Sequence, residues 1–430
     1  MAAGESVDPA RWQAVFEELM GRVAGRFARV EPRRRVRAFV AGLLAELPRK
    51  NCWTIAEHAG EASPDGMQHL LARAVWDADA VRDDVRGYVV EYLADADAVL
   101  VVDETGDLKK GTATVGVQRQ YTGTAGRTEN AQVTVWLTYA GRVGHGLIDR
   151  ALYLPRCWID DPARRAAAGV PAEVGFATKP ALARQMIART LDAGIPARWV
   201  TADEVYGADP QLRGELERRR VGYVLAVARD YQVPTAAGPI RADMLTLRLP
   251  ARAWQPLSAG AGAKGMRVYD WALIDLPSKT AGQWRLLVRR HRRTGKRAYY
   301  RCFSPTPVPL TTLVQVAGTR WAVEEDFHTG KQLTGLDQHQ VRRWTSWHRW
   351  ATLTLLAHAF LTVTTAVEHH RAAPADQIPL ARNEIRHLFA AALLRPLQTL
   401  NQRLHWSTWR RRHQHRARTS HYQRQAARQP

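Results

Sequence analysis

The chain has 430 residues, 46% of them hydrophobic and 24% charged, which suits a globular protein with room for roughly two to four domains. Apolar runs such as residues 98–102 are too short to cross a bilayer, and no basic-then-apolar leader begins the sequence, so we expect a cytoplasmic protein with no membrane partner. A formal net charge of +21 argues against a metabolic enzyme with a small-molecule substrate and favours DNA or RNA as the partner.

Residues 1–95 are predicted to form a helical domain. Apolar residues recur at helical spacing in two segments, and RKNCWTIAEHAG and SPDGMQHLLARAVWD predict two further short helices separated by a turn. The first two helices are separated by a basic cluster that includes Arg33, Arg34 and Arg35. Short helices beside arginines are typical of a DNA-binding module. The alternative is a packing domain with a solvated basic face.

From residue 96 the pattern predicts an α/β core. The segments ADAVLVVDET, QVTVWLTYA and GLIDRALYLP predict three adjacent strands, because short apolar or alternating runs are typical of strands. A helix over KPALARQMIARTLDAG, a strand in PARWVTADEVYG, a helix over PQLRGELERRR and a strand YVLAVA complete residues 96–228. This order predicts a mixed sheet with helices.

The rest of the chain divides into three predicted parts. Residues 229–300 are rich in Gly, Pro and Ala and contain alternating segments, which predicts a β-rich insertion. The helical period returns from Thr311 to about Val367, and we expect residues 301–375 to complete the core. Residues 376–430 are predicted to be a basic helical tail, since residues 401–430 carry eight arginines and no acid.

Two aspartates are candidate ligands of a cation. Asp103 and Asp203 each follow an apolar strand, where loops of open α/β sheets form ligand sites. A carboxylate there needs water, a cation or a hydrogen-bond donor. Each Asp alone is more often a cap or turn residue. Together, on a basic chain, they favour Mg²⁺ and phosphate chemistry, because Mg²⁺ takes carboxylate and phosphate oxygens.

A third acid lies in the segment GTRWAVEEDFHTGK. Arg320, Glu324 and Lys331 are spaced i, i+4 and i+11, so they share one face of a helix. Helical spacing alone does not exclude Glu325 or Asp326 as the functional acid. It is also compatible with a solvated ladder of ion pairs.

Other candidates have weaker patterns. Lys109, Lys110 and Arg119 follow Asp103 along the chain and could line a DNA path, or belong to a solvated loop. An aromatic segment could stack on an unpaired base, although a buried helix face is the favoured interpretation: Trp344, Trp347, His348 and Trp350. His348 and His358 are expected in the core or at helix caps, because Mg²⁺ prefers oxygen.

At these motifs the sequence resembles the DDE transposases of bacterial insertion sequences, of the insertion-sequence 701 and insertion-sequence 4 type, over nearly its whole length. DETGDLKKGTATVGVQRQYTGTAGRTENAQV resembles the family segment around the first catalytic Asp, and TADEVYGADPQLRGEL the second. The family's third signature is Tyr, two residues, Arg, three residues, Glu, six residues, Lys. Arg320, Glu324 and Lys331 fit this spacing and select Glu324. Ala317 stands where the signature has Tyr, which puts one DNA phosphate contact in doubt but not metal binding.

The resemblance implies a ribonuclease-H-like catalytic core and cut-and-paste transposition at inverted-repeat ends. Asp103, Asp203 and Glu324 would be the catalytic residues and hold two Mg²⁺ ions, with Mn²⁺ as a substitute, while Arg320 and Lys331 would hold DNA phosphates. The implied partners are double-stranded DNA, as transposon ends and target, and a second copy of the chain in the DNA complex. The protein would then be bacterial, and bound to the nucleoid when on DNA. A domesticated DNA-binding relative and a Mg²⁺-dependent endonuclease without strand transfer are the alternatives.

Overall fold

The computed structural model describes residues 7–262, 265–277, 281–371, 377–394 and 399–427. The chain folds into a mixed α/β structure built on one large sheet. The four helices predicted for the N-terminal segment form as α1 (Pro9–Ala24), α2 (Val30–Leu44), α3 (Cys52–His58) and α4 (Asp65–Ala72), and a fifth helix that was not predicted individually, α5 (Ala78–Leu93), follows them.

Local sequence explains where these helices begin. The Asp8 carboxylate accepts hydrogen bonds from the backbone N–H groups of Ala10 and Arg11 and caps α1, with Pro9 at the first helical position. Asn51 and Thr54 form a reciprocal capping box at the start of α3. The apolar stripe of α1 is buried, so the helix is stabilised by packing as well as by its cap.

Ten strands form the main sheet. Its order is β2-β3-β1-β5-β6-β12-β11-β10-β9, with β4 paired to β3. Their bounds are β1 (Val99–Leu108), β2 (Gln118–Thr122), β3 (Arg127–Gly141), β4 (Gly144–Leu152), β5 (Trp199–Ala202), β6 (Gly222–Val227), β9 (Gln255–Gly262), β10 (Gly265–Leu276), β11 (Gln283–Arg290) and β12 (Arg297–Ser304), while β7 (Gln232–Thr235) and β8 (Gly238–Arg241) form a separate hairpin. β1 pairs antiparallel with β3 and parallel with β5, and β5 pairs parallel with β6.

The segment predicted as a β-rich insertion does contain strands, but most of them do not form a sheet of their own. β12 pairs antiparallel with β6, from Tyr299 opposite Val227 to Phe303 opposite Tyr223. β11, β10 and β9 then continue the same sheet. The alternating pattern predicted these strands, whereas the pairing of β12 with β6 depends on residues far apart in the chain.

The remaining helices pack around the sheet. They are α6 (Arg156–Ile159), α7 (Pro162–Ala168), α8 (Lys179–Asp192), α9 (Glu204–Gly207), α10 (Pro210–Arg218), α11 (Ala242–Leu247), α12 (Leu310–Thr319), α13 (Trp321–Thr334), α14 (Trp344–His369), α15 (Arg382–Leu393) and α16 (Leu400–Ala426). Both α15 and α16 fall in the segment predicted to be a basic helical tail.

Helix α14 is the central helix of the molecule. By length and composition it could cross a membrane, so the expectation that every apolar run is too short was wrong for this segment. Its apolar stretch is 89% buried inside the fold, however, as in the core helix of a globular protein. Trp347 and Trp350 are only 2% and 1% exposed, so the favoured interpretation as a buried face is confirmed for these two, whereas Trp344 and His348 are half-buried. His358 is also in this core, at 1% exposure.

Candidate active site

Asp103 and Asp203 emerge side by side from two parallel strands. The register pairs Val102 of β1 with Ala202 of β5, and the next residue on each strand is the aspartate. The sequence had suggested that β1 ends at Asp103. Instead, β1 continues along β3 to Leu108. Only its pairing with β5 stops at Asp103. The two carboxylates thus meet where the parallel pair opens.

Burial and neighbouring carboxylates raise the pKa of both aspartates. Burial raises the pKa of Asp103 to about 7; Arg320 lowers it, whereas Asp203 and Glu104 raise it further. Burial and the charge of Glu104 also raise the pKa of Asp203, against a hydrogen bond from the backbone N–H of Val205 to its carboxylate. A cation in this place would relieve both effects.

Arg320 brings the third acid to the same place. This residue lies in helical conformation between α12 and α13. Its Nη1 donates to Oδ2 of Asp103 at 2.9 Å, and its Nη2 lies 3.7 Å from Oε1 of Glu324. The Glu324 side chain is 44% exposed, so it reaches the cavity from the solvent side.

The structure separates Glu324 from the two neighbouring acids. Asp326 is fully buried on the other side of α13, where its carboxylate contacts His145 at 2.9 Å and Arg382 at 2.7 Å. Glu325 accepts a hydrogen bond from the indole N–H of Trp321 at 3.2 Å. Of these three consecutive acids, Glu324 is the one that lines the cavity beside Asp103.

One cavity of about 460 Å³ collects these groups. Lys331 lies on its wall, where its ammonium donates to Thr124 Oγ1 at 3.0 Å and to the carbonyl oxygen of Gly106 at 3.4 Å. The lining residues are Asp103, Glu104, Thr105, Gly106, Tyr121, Thr122, Gly123, Thr124, Val133, Asp203, Arg320, Glu324, Phe327, His328 and Lys331. All five residues predicted from the strand ends and the helical spacing therefore share one cavity.

Sequence reasoning missed a fourth carboxylate in this cavity. Glu104 follows Asp103 directly, and its Oε1 accepts a hydrogen bond from Lys179 Nζ at 2.6 Å. The hydroxyl of Tyr206, three residues after Asp203, donates to its other oxygen. The adjacent acids of DET were a usable signal for Glu104, but nothing local pointed to Lys179.

The other predicted DNA-binding residues lie outside the cavity lining. The ammonium of Lys109 lies 3.1 Å from Nε2 of His339, and its side chain is only 10% exposed. Lys110 and Arg119 are exposed. Arg33 and Arg34 are exposed on α2, while half-buried Arg35 pairs with Glu61 at 3.4 Å. Ala317 is half-buried on α12.

The donor set fits a hard divalent cation better than a soft one. It consists of carboxylate oxygens, and the pKa values of Asp103 and Asp203 are raised first by burial and then by neighbouring acids. Among the described residues, no three Asp, Glu, His or Cys side chains converge closely enough to hold an ion as they stand. The guanidinium of Arg320 instead lies between Asp103 and Glu324.

Comparison with known proteins shows the family to which the chain belongs. Residues 22–256 match the model of the DDE superfamily endonuclease family, and residues 176–360 match the transposase DDE domain. Because the first match spans more than half of the chain, this protein belongs to the DDE superfamily endonuclease family.

Two individual proteins are similar to parts of this chain or to its fold. The probable transposase for insertion sequence element IS701 of Microchaete diplosiphon is 30% identical over 195 residues, which are 45% of this chain and 48% of the relative. The chain thus spans about half the length of this curated relative. Piggybac transposase, in a cryo-EM structure of its synaptic complex with hairpin DNA, aligns with a TM-score of 0.47 at 10% identity, over 93% of this chain and 84% of that one.

Proposed function

We propose that the protein is a DNA transposase that cleaves DNA and transfers strands at the inverted-repeat ends of an insertion sequence, by a cut-and-paste route. The observation that carries the proposal is the convergence of Asp103, Asp203 and Glu324, from three separate elements, on one cavity with Arg320 and Lys331. These are the residues on which the sequence matches the three motifs of the family.

The strand order supports a ribonuclease-H-like core. β4, β3 and β1 form an antiparallel meander, and β5 and β6 extend it in parallel with β1. The first two proposed catalytic residues stand on the central parallel pair, and the third comes from a helix later in the chain. If β1 and β3 to β6 form a ribonuclease-H-like core, then β9 to β12 extend the core sheet beyond β6.

Asp103, Asp203 and Glu324 would hold the metal, which we propose to be two Mg²⁺ ions with Mn²⁺ as a substitute. The all-oxygen donor set and the raised pKa values of Asp103 and Asp203 support a hard cation. When bound, such ions activate an attacking oxygen and stabilise the leaving oxygen in phosphodiester displacement.

The chain's own cations have separate roles. The planar guanidinium of Arg320 already contacts two carboxylates, and it has further N–H groups with which to bind a phosphate bidentately. Lys331 presents a point charge on the cavity wall, held by Thr124 and Gly106. These groups position the scissile phosphate, and no side-chain nucleophile is required.

The proposed partners are double-stranded DNA, both as transposon ends and as target, and a second copy of the chain. The net charge of +21 and the name of the insertion-sequence relative support DNA. Two DNA ends must be held together for transposition, which is why we propose a homodimer in the DNA complex. The protein would act in the bacterial cytoplasm, on the nucleoid.

The test is an assay with purified protein, Mg²⁺ or Mn²⁺, and end-labelled duplexes carrying the inverted repeats that flank the coding region. We expect nicks at the repeat ends and joining of the new 3′-hydroxyl to a target plasmid. An Asp203→Asn preparation, purified in the same way, controls for contaminating nuclease.

The products separate the proposal from its alternatives. Cleavage without joining would indicate an endonuclease without strand transfer. Specific binding without cleavage under either metal would indicate a domesticated DNA-binding protein. Either result would overturn the transposase proposal.

A further inference from the structure

Outside the cavity, the C-terminal helix α16 is the element whose charges are most strongly of one sign. Residues 401–430 contain eight arginines, four histidines and no acid. Most of the described arginines are exposed, namely Arg403, Arg411, Arg412, Arg416, Arg418 and Arg424. A 27-residue helix is about 40 Å long, which is slightly more than one turn of duplex DNA, at about 34 Å.

This helix has a fixed place on the molecule. Trp406 is 1% exposed, and its indole N–H donates to the carbonyl oxygen of Glu61 at 2.8 Å. Trp409 packs edge-on against Trp53 of α3, with ring centroids 4.9 Å apart. The first half of α16 is therefore anchored on the turn between α3 and α4, and its arginines are presented in a defined direction.

Few of the arginines of α16 are neutralised by its packing against the rest of the protein. Arg410 pairs with Glu57 at 2.5 Å. Within the described residues, no other α16 arginine has a carboxylate within 4.0 Å. Arg410 is neutralised by its ion pair, but the other α16 arginines face solvent. Most of the positive charge of α16 can therefore interact with a polyanion.

One face of α16 is shaped as well as charged. A cavity of about 420 Å³ is lined, on its described side, by His405, Thr408, Trp409, Arg412, His415 and Arg416. Their spacing of three or four residues puts them on one face of the helix. The face combines two guanidinium groups with hydrogen-bonding side chains, which suits a run of phosphate oxygens.

The residue that anchors Trp406 of α16 also pairs with an arginine of α2. Glu61 pairs with Arg35, and its carbonyl oxygen accepts the Trp406 bond. α16 thus covers part of the α3–α4 turn that the sequence had suggested as a DNA-binding module.

We propose that α16 forms a second DNA-binding surface, separate from the catalytic cavity, which binds the phosphate backbone of duplex DNA without reading its sequence. This inference rests on the proposed function, since it assigns a further site for the same partner. A membrane surface is disfavoured, because Trp406 and Trp409 are engaged with the protein and the rest of α16 has no broad apolar face.

The test uses the full chain with Arg411→Gln, Arg412→Gln, Arg416→Gln and Arg418→Gln combined, which leaves the anchoring residues unchanged. A matched control carries Arg229→Gln, Arg248→Gln, Arg252→Gln and Arg293→Gln, four exposed arginines remote from α16 in sequence. Binding to a 40-base-pair duplex is measured by fluorescence anisotropy across a salt series. Thermal melting checks that both variants are folded.

Each lost phosphate contact reduces the slope of log K against log salt by about 0.9. We expect the α16 variant to lose about three units of slope and at least about tenfold in affinity, with the control close to wild type. Equal losses in both variants, or none in the α16 variant, would overturn the proposal. Preferred binding of duplex RNA by wild type would also overturn it. If wild type bound no DNA at all, the proposed function itself would fail, which is a distinguishable result.

Discussion

Arg320 donates a 2.9 Å hydrogen bond to Asp103, although 217 residues separate the two in the chain. The same guanidinium lies 3.7 Å from Glu324. A single side chain thus links the first and third proposed catalytic acids, and this link is the most direct sign that the first and third motifs form one site.

Replacing Arg320 should therefore slow DNA cleavage. Arg320→Ala removes both contacts and the proposed phosphate clamp, so we expect a loss of about 10²-fold or more in the single-turnover rate. Arg320→Lys keeps the charge but loses the planar fork, so it should recover only part of the rate. A lysine variant at the wild-type rate would show that the fork geometry is unimportant.

Asp326 should matter for stability, not for the reaction. Its fully buried carboxylate is held by Thr138, His145 and Arg382. Asp326→Asn leaves half-buried Arg382 beside a neutral group, which should cost about 3–5 kcal/mol in urea unfolding. Glu325→Gln is the control, because that side chain is 53% exposed and should cost less than about 1 kcal/mol. Similar costs for the two variants would contradict this account.

Gly207 and Gly214 form a matched pair of glycine tests. A Cβ on Gly207 would come within 1.9 Å of the carbonyl oxygen of Ala226, whereas one on Gly214 would meet nothing within 4 Å. Gly207→Ala should push α9 off β6 and cost about 1–3 kcal/mol. It should also slow cleavage, because Asp203 caps α9. Gly214→Ala should stabilise α10 by up to about 1 kcal/mol. Thermal unfolding of both variants tests these expectations. If Gly207→Ala left the stability unchanged, the close approach of Gly207 to Ala226 would be refuted.

Lys50 should make stability depend on pH. It is 3% exposed, and its ammonium donates to the carbonyl oxygens of Leu43 and Leu333. Burial lowers its pKa from 10.5 to about 7, with Arg386 lowering it further and Glu46 opposing. Above pH 7 the folded chain therefore binds fewer protons here than the unfolded chain does.

The sign of the effect follows from this difference in bound protons. The Lys50 contribution should make the unfolding free energy rise with pH between about pH 7 and 9, by at most about 1.4 kcal/mol per unit. Lys50→Met should remove that slope. If the difference between wild type and Lys50→Met does not change from pH 7 to 9 in urea titrations, the lowered pKa is wrong.

The sequence predicted the parts of the site that depend on local pattern. Asp103 and Asp203 each follow a run of apolar residues, and Glu324 is selected by its spacing from Arg320 and Lys331. The structure brings all five to one cavity. Their catalytic roles stay predictions, as do the domain boundaries.

The parts that escaped prediction depend on contacts between distant residues. Lys179 and Tyr206 reach Glu104 across 75 and 102 residues, and no local pattern encodes either contact. Asp326 is excluded from the cavity by partners on β4 and α15, so helical spacing could not separate it from Glu324. The burial of α14 likewise depends on packing, since its composition alone would permit a membrane span.

The central claim is that Asp103, Asp203 and Glu324 carry out the reaction. Its most direct test is the single-turnover cleavage rate, with Mg²⁺, of Asp103→Asn, Asp203→Asn and Glu324→Gln against the neighbouring Glu325→Gln. We predict that each of the first three loses cleavage by about 10³-fold or more while remaining folded, and that Glu325→Gln stays within about threefold of wild type. Cleavage that survives any of the three substitutions, or is abolished by Glu325→Gln, would contradict the proposed site.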